Sequence, residues 1–253
     1  MKLDLKDKRV FISGSSRGIG MNIALKFIEE GAKVIINSRK IKDLERLAKK
    51  NRNFDFISGD VTNPKDAKKI TDSISKKFNK LDIVICNVGS GKSVPPGREN
   101  HNEWQKIFSK NFYSATNLIE ASIPLLENTK GSIICISSIC GVEHIPGAPI
   151  TYSVAKNALN AYIKFVSYPL AKKGIKINGV VPGNINFPGS VWDKKIKKNS
   201  REVKKMIRDS VPLKKFGSPE DIANLVVFLS SEQNQFSTGS LFLSDGGQTR
   251  STW

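Results

Sequence analysis

Cysteine and histidine are scarce in this chain, and the few present stand in the wrong places for their specialised uses. The three cysteines are odd in number. Cys86, Cys135 and Cys140 lie in or beside apolar, strand-like runs, which speaks against a disulfide framework and for reduced core thiols in a cytoplasmic protein. His101 and His144 have no cysteine or histidine at ligand spacing, so no metal site is visible. Apolar runs are short, well under the roughly 20 residues of a membrane span. The opening residues Met1 to Asp7 are too charged to read as a signal peptide. Acids are also in deficit: 23 Asp and Glu face 41 Lys and Arg, a formal charge of +18. Such a surplus invites a nucleic-acid reading. However, it consists of 32 Lys and only 9 Arg spread over nearly every helical segment, which suits solvated helix faces. We therefore expect neither a nucleic-acid nor a membrane partner.

What the chain does have is a regular alternation. Short β-branched runs at Val10–Ile12, Val34–Ile36, Phe54–Ile57, Ile83–Ile85, Ile133–Ile136, Ile175–Ile177 and Leu241–Leu243 read as seven strands. Helical patterns fall between them, near Ile19–Glu30, Ile41–Lys50, Pro64–Phe78, one long helix at Glu103–Leu126, a helix ending near Lys173-Gly174, and a last one from Pro219. Strands with unbroken apolar cores, alternating with helices, predict a parallel sheet covered by helices on both faces. With 39% hydrophobic residues and no linker, residues 1–253 form a single α/β domain.

The first strand runs into Ser13-Gly14-Ser15-Ser16-Arg17-Gly18-Ile19-Gly20, between strand and helix as a dinucleotide site requires. Gly14 permits the tight turn, Gly18 a close backbone approach to a pyrophosphate, and Gly20 close helix–strand packing. The helix N-terminus adds free N–H groups and a favourable dipole. At the end of the second strand an acid would bind the ribose of NAD. Asn37-Ser38-Arg39 stands there instead, and Ser38, Arg39 and Arg17 suit a 2′-phosphate. The expected cofactor is NADP(H) in preference to NAD(H).

Tyr152 and Lys156 are spaced i and i+4, so on a helix they share a face. A free phenol has a pKa near 10. A cation within a few ångströms is expected to draw that value toward neutrality and make Tyr152 an acid/base. Ser138, fourteen positions upstream, is placed to hydrogen-bond the substrate oxygen.

Together these residues resemble the short-chain dehydrogenase/reductase family over essentially the whole chain, with a layout similar to its 3-oxoacyl-carrier-protein reductases. The resemblance implies a Rossmann-type doubly wound fold of seven parallel strands. It also implies a catalytic tetrad of Asn111, Ser138, Tyr152 and Lys156. Asn111 would hold a water that links Lys156 to solvent, and Lys156 and Tyr152 would also meet the nicotinamide ribose. In the glycine-rich turn Ser16 and Ile19 join the cofactor set. Asp60-Val61 resembles the family's adenine-contacting pair, and Asn87 and Gly89 stand in its NNAG segment. Pro182, Gly183 and Ile185 match the loop that meets the nicotinamide, while Thr238-Gly239 and Asp245-Gly246-Gly247 are similar to its C-terminal signature.

The chain departs from that pattern in places. Cys86 and Val88 replace an Asn and an Ala of NNAG. The Ser138–Tyr152 spacing is one residue longer than usual, and Phe187 falls where many members have a cofactor-contacting threonine. Residues 184–218 read as a mobile substrate lid. Its Lys194, Lys195, Lys197, Lys198, Arg201, Lys204, Lys205 and Arg208 would suit an anionic substrate. The implied activity is NADPH-dependent interconversion of a carbonyl and a secondary alcohol, on a small-molecule or carrier-linked substrate such as a 3-oxoacyl thioester. A sugar or nucleotide-sugar enzyme of a surface-polysaccharide pathway is the second possibility, and a cofactor-binding sensor or structural protein the third. Large aromatics such as Trp104, Phe108, Phe112, Tyr162, Phe165 and Tyr168, on two helices that the family pairs across twofold axes, point to a homotetramer.

Overall fold

The computed structural model describes residues 2–251. Seven parallel strands form one sheet: β1 (Arg9–Ile12), β2 (Lys33–Ser38), β3 (Phe54–Ser58), β4 (Ile83–Cys86), β5 (Ser132–Ile136), β6 (Lys176–Pro182) and β7 (Leu241–Ser244). Their order is β3-β2-β1-β4-β5-β6-β7. The strands' unbroken apolar runs are explained by where alternate residues go. Val10, Ile12, Val34, Ile36, Ile83, Ile85, Ile134 and Ile136 enter one core. Phe11, Ile35, Val84, Cys86, Ile133 and Cys135 enter the other, on the opposite face.

Helices α1 (Gly18–Glu29) and α9 (Pro219–Ser230) cover the first face, with Leu44 of α2 (Ile41–Lys50). Helices α3 (Pro64–Phe78), α5 (Ser114–Thr129) and α6 (Ile150–Ala171) cover the second. The chain winds outward from β1 in both directions, so the crevice above the carboxyl ends of β1 and β4 is the switch point where such sheets bind ligands. Residues 184–218 carry two helices, α7 (Val191–Lys198) and α8 (Ser200–Ser210), above that edge.

One predicted element is different in kind. The long helix is α4 (His101–Phe108), a π-helical turn at Ser109–Tyr113, and α5. Asn111 lies in the π turn, where its amide Nδ2 donates to the Ile107 carbonyl at 3.0 Å and to Ser90 O at 3.2 Å. A side chain that engages its own helix and a neighbouring loop favours such a local widening, and π turns concentrate at functional sites.

Candidate active site

The glycine-rich turn leaves β1 with Gly14 at φ 63° and enters α1 with Gly18 at φ 60°, a region that favours glycine at both points. Asn87 fixes the turn from the next strand: its Nδ2 donates to Ser13 O at 3.0 Å and to Gly14 O at 3.1 Å. A Cβ on Gly20 would stand 2.5 Å from that same nitrogen, so Gly20 is required for packing, as its spacing suggested. Asn87 thus shapes the turn, with its amide donors facing the protein.

Asn37 is buried and ties three segments, accepting from Gly14 N–H and donating to Ile57 O and Gly59 O. Ser38 spends its hydroxyl on the backbone of Lys40. Arg39 is open at this edge, its side chain 71% exposed and 3.5 Å from Asp60. Burial alone would raise the Asp60 carboxyl. Hydrogen bonds from the Thr62 hydroxyl and N–H, and the Arg39 charge, outweigh it and hold Asp60 below its ordinary value. Val61 beside it is buried, Ser16 and Ile19 are half-buried, and Arg17 is exposed at the N-terminus of α1.

At the other end of the crevice the four predicted catalytic residues come together. Lys156 is 3% exposed, and its Nζ donates to Ile136 O at 2.7 Å. Gly89 is the point of access: a Cβ there would lie 3.0 Å from Asn111 Oδ1 and 3.2 Å from Lys156 Nζ. The exposed glycine therefore leaves room for a ligand hydroxyl beside the ammonium. Asn111 also accepts from Ser90 N–H at 2.8 Å, so its amide clamps both backbone groups of Ser90. Gly91, next in this loop, faces the Tyr152 ring.

Ser138 caps a 3₁₀ turn, Ile139–Gly141, by accepting from Cys140 N–H at 3.2 Å. That turn is pinned to α6, because Asn157 and Asn160 both donate to Gly141 O at 3.0 Å. A Cβ on Gly141 would strike the Lys156 backbone at 2.6 Å. Gly141, Asn157 and Asn160 were not singled out in the sequence. Two asparagines at i+1 and i+4 from Lys156 were the available signal. A second clasp escaped notice as well: Ser93 Oγ donates to Glu103 Oε1 at 3.0 Å and meets Thr151 Oγ1 at 2.7 Å, one residue before Tyr152.

The electrostatics correct one expectation. Burial holds the Tyr152 phenol above its ordinary value, the Cys140 thiol adds to this, and the Ser138 hydroxyl opposes it without reversing it. Lys156 was expected to bring the phenol down. Its ammonium is turned to Ile136 O, and burial lowers its own pKa to about 8. The pair is thus a firmly protonated phenol beside a cation that weakens above neutrality.

On the lid side, Pro182 and Ile185 are buried and Gly183 packs against Asp245. Thr238-Gly239 joins the β6 edge through Ile177, so it serves the sheet. Asp245 accepts from Gly247 N–H and Thr249, fixing the turn that follows β7. The lid's base is zipped by Asn186 N–H to Gly217 O and Gly217 N–H to Asn184 O, each at 3.0 Å.

A family model described as enoyl-(acyl carrier protein) reductase, of the short-chain dehydrogenase/reductase type, matches residues 14–249. A 3-oxoacyl-[acyl-carrier-protein] reductase of Rickettsia felis is 34% identical, with 97% of this chain and 98% of that protein covered. One from Staphylococcus epidermidis is 31% identical over 95% of this chain and 98% of its own. The crystal structure of L-sorbose reductase from Gluconobacter frateurii, complexed with NADPH and L-sorbose, superposes over the whole of both chains with a TM-score of 0.91 at 29% identity. The Pseudomonas aeruginosa RhlG/NADP complex shares the fold, with a TM-score of 0.89 at 24% identity over 97% of this chain and 98% of that one.

Proposed function

Since this chain belongs to the short-chain dehydrogenase/reductase family, whose members are NAD(P)-dependent oxidoreductases acting on CH–OH and C=O groups, we propose that it uses NADPH to reduce the carbonyl of a 3-oxoacyl thioester. The observation that carries the cofactor choice is Arg39, 71% exposed at the end of β2 where an acid would reject a 2′-phosphate. Arg17 offers a second guanidinium across the turn. Asp60 stands near but commits Oδ1 to Thr62.

The residues fit the cofactor at both ends, since Arg17 and Arg39 offer cations at one and Gly89 leaves Lys156 approachable at the other. When bound, the nicotinamide would supply the hydride that the carbonyl carbon accepts. Ser138 then donates to the carbonyl oxygen and holds it toward Tyr152. Tyr152 gives that oxygen its proton, completing the alcohol. A phenol kept protonated by burial is in the state this direction requires. Asn111 steadies Ser90 beside Lys156, at the path along which a proton returns to the phenolate left behind.

The substrate reading is supported by the curated relatives and by the lid, where Lys197 pairs with Asp193 and Arg208 with Asp209 while Lys194, Lys198, Arg201, Lys204 and Lys205 have no such partner among the described residues. A keto-sugar is the second reading. It is favoured by polar mouth loops, Ser90–Gly97 and Glu143–Pro146, and by the similarity to L-sorbose reductase. Following NADPH absorbance with a panel of 3-oxoacyl thioesters beside keto-sugars separates the two. No turnover of either class defeats both.

We also propose a homotetramer. Phe165 and Tyr168 on α6 are 78% and 70% exposed, and Phe236 beside β7 is fully exposed. Large aromatics so placed suit the centres of interfaces. Sedimentation at micromolar concentration tests this, and Phe165→Asp with Tyr168→Asp should halve the mass. A monomeric wild type overturns it.

A further inference from the structure

We infer that Phe187 is a gate on the diphosphate end of the cofactor site, so that cofactor entry requires the lid to move. This rests on the reading above that the chain binds NADPH. The ring of Phe187 lies directly on Gly18: a Cβ there would be 2.6 and 2.7 Å from two ring carbons. Gly18 opens α1, whose N-terminal N–H groups, beside the Arg17 guanidinium, make an anion-attracting surface of the glycine-rich turn. The neighbouring Gly189 lies over the Arg17 guanidinium, 3.6 Å from where its own Cβ would be. Lid residues 187–189 thus roof the Arg17-Gly18 corner at which a dinucleotide's diphosphate must arrive.

The ring is not a free flap. Phe187 is half-buried and packs on the core beneath α1 and α9. Its backbone is locked into the start of α7. Ser190, 6% exposed, donates its N–H to Phe187 O, and its hydroxyl accepts from Phe187 N–H and Asp193 N–H. Gly189 N–H is held by Asp193 Oδ2 at 2.9 Å. Lifting Phe187 off Gly18 therefore carries α7 with it, while the zipped base at Asn184–Asn186 and Gly217 stays as the hinge. α7 bears Trp192, which packs against Phe216 at 5.6 Å, so the movement has a built-in reporter. A polar residue at position 187 would offer the diphosphate a hydrogen bond. Phe187 instead imposes a step before binding, and only the fraction of molecules with the ring withdrawn is competent.

The test is stopped-flow mixing of the full chain with NADPH, reading tryptophan and nicotinamide fluorescence, for wild type, Phe187→Ala and Phe187→Leu. We expect the wild-type rate to level off as NADPH is raised, because ring withdrawal becomes limiting. In Phe187→Ala the rate should stay linear, with the association constant up about fivefold to tenfold, the scale of a half-buried ring. Phe187→Leu keeps the core filled and should fall between. Near-UV circular dichroism verifies the fold of each variant, and the wild-type concentration dependence tests the gate without either. A linear wild-type rate, or Phe187→Ala binding NADPH no faster, overturns the gate while leaving NADPH use intact. If equilibrium dialysis finds no NADPH bound to wild type, the cofactor reading itself has failed and the gate falls with it.

Discussion

Along β4, β5 and α6 most of the polar groups that line the crevice are buried, and they are held by backbone partners. Along 184–218 the charged groups other than Asp193 are exposed, and most face water. Lys156 is committed to Ile136 O, Asn111 to Ser90, and Asn157 and Asn160 to Gly141. Of the two lid helices, α8 buries only Val203 and Ile207, and α7 buries none of its residues. The difference separates two tasks. Proton transfer needs groups placed to within a fraction of an ångström, which a fastened scaffold provides. Admission and choice of ligand need a wall that moves, and an exposed, weakly packed segment is the low-stability part from which such walls are drawn.

The sharpest way to break this contrast is on the rigid side. Tyr152→Phe keeps the ring's packing and removes the proton, so turnover should fall about 10²- to 10⁴-fold. NADPH binding, measured by nicotinamide fluorescence, should be nearly unchanged. Retention of more than about a hundredth of the activity would mean that another group is the acid.

Next in size is the cofactor edge. Arg39→Asp replaces a charge-assisted contact, worth about 1.5–3 kcal/mol, with a repulsive one. The ratio of kcat/KM for NADPH over NADH should fall by at least about tenfold and reverse in favour of NADH. Equal efficiency with both cofactors in the unaltered protein would remove Arg39 from the role proposed.

How much of this was open to reading without coordinates differs between the walls too. The strands were legible because a sheet buried on both faces leaves no polar gap in Ile83–Cys86 or Ile133–Ile136. Tyr152 and Lys156 were legible because their spacing lies within one helix. The π turn was hidden, since it depends on Asn111 meeting Ser90, twenty-one residues away. So was the sign of the Tyr152 shift. Proximity to Lys156 is a local fact, while burial and the Ile136 carbonyl that occupies the ammonium are tertiary ones. Phe187 was visible as a departure from the family pattern, but its seat on Gly18 belongs to the folded lid.

The buried lysine yields a stability prediction of intermediate size. Its pKa is about 8 in the folded protein, against 10.5 ordinarily, so between these values the unfolded chain binds more protons and stability rises with pH. The burden of the buried charge is full below about pH 8 and gone by 10.5. Lys156→Met should therefore be the more stable protein at pH 6.5. The margin is on the order of 3 kcal/mol from the shift, less about 1 kcal/mol for the lost bond to Ile136. Urea unfolding at pH 6.5 and pH 9.5 should show that advantage shrinking. A constant difference would mean that the ammonium is better solvated than its burial implies.

The smallest effect expected is on the lysine-rich wall, 184–218, proposed to move. If the free ammonium groups of α7 and α8 recognise an anionic carrier or thioester, KM for the best substrate should rise with salt. Exposed charges are screened over a Debye length of about 8–10 Å near physiological ionic strength. Replacing Lys194, Lys195, Lys197 and Lys198 together with Gln removes the α7 cluster. Each exposed interaction contributes a few tenths of a kcal/mol up to about 1. Lys197 already answers to Asp193, and Lys195 rests its ammonium 4.6 Å from the centre of the Trp192 ring, so those two should count least. The summed effect is a rise in KM of about three- to tenfold, with kcat and NADPH affinity unchanged because Tyr152 and Arg39 are untouched. The salt dependence should flatten in the same variant. Wild-type behaviour toward every substrate in the panel would reduce these lysines to a solvated face, and selectivity would then rest with Ser90–Gly97 and the loop that follows Ser138.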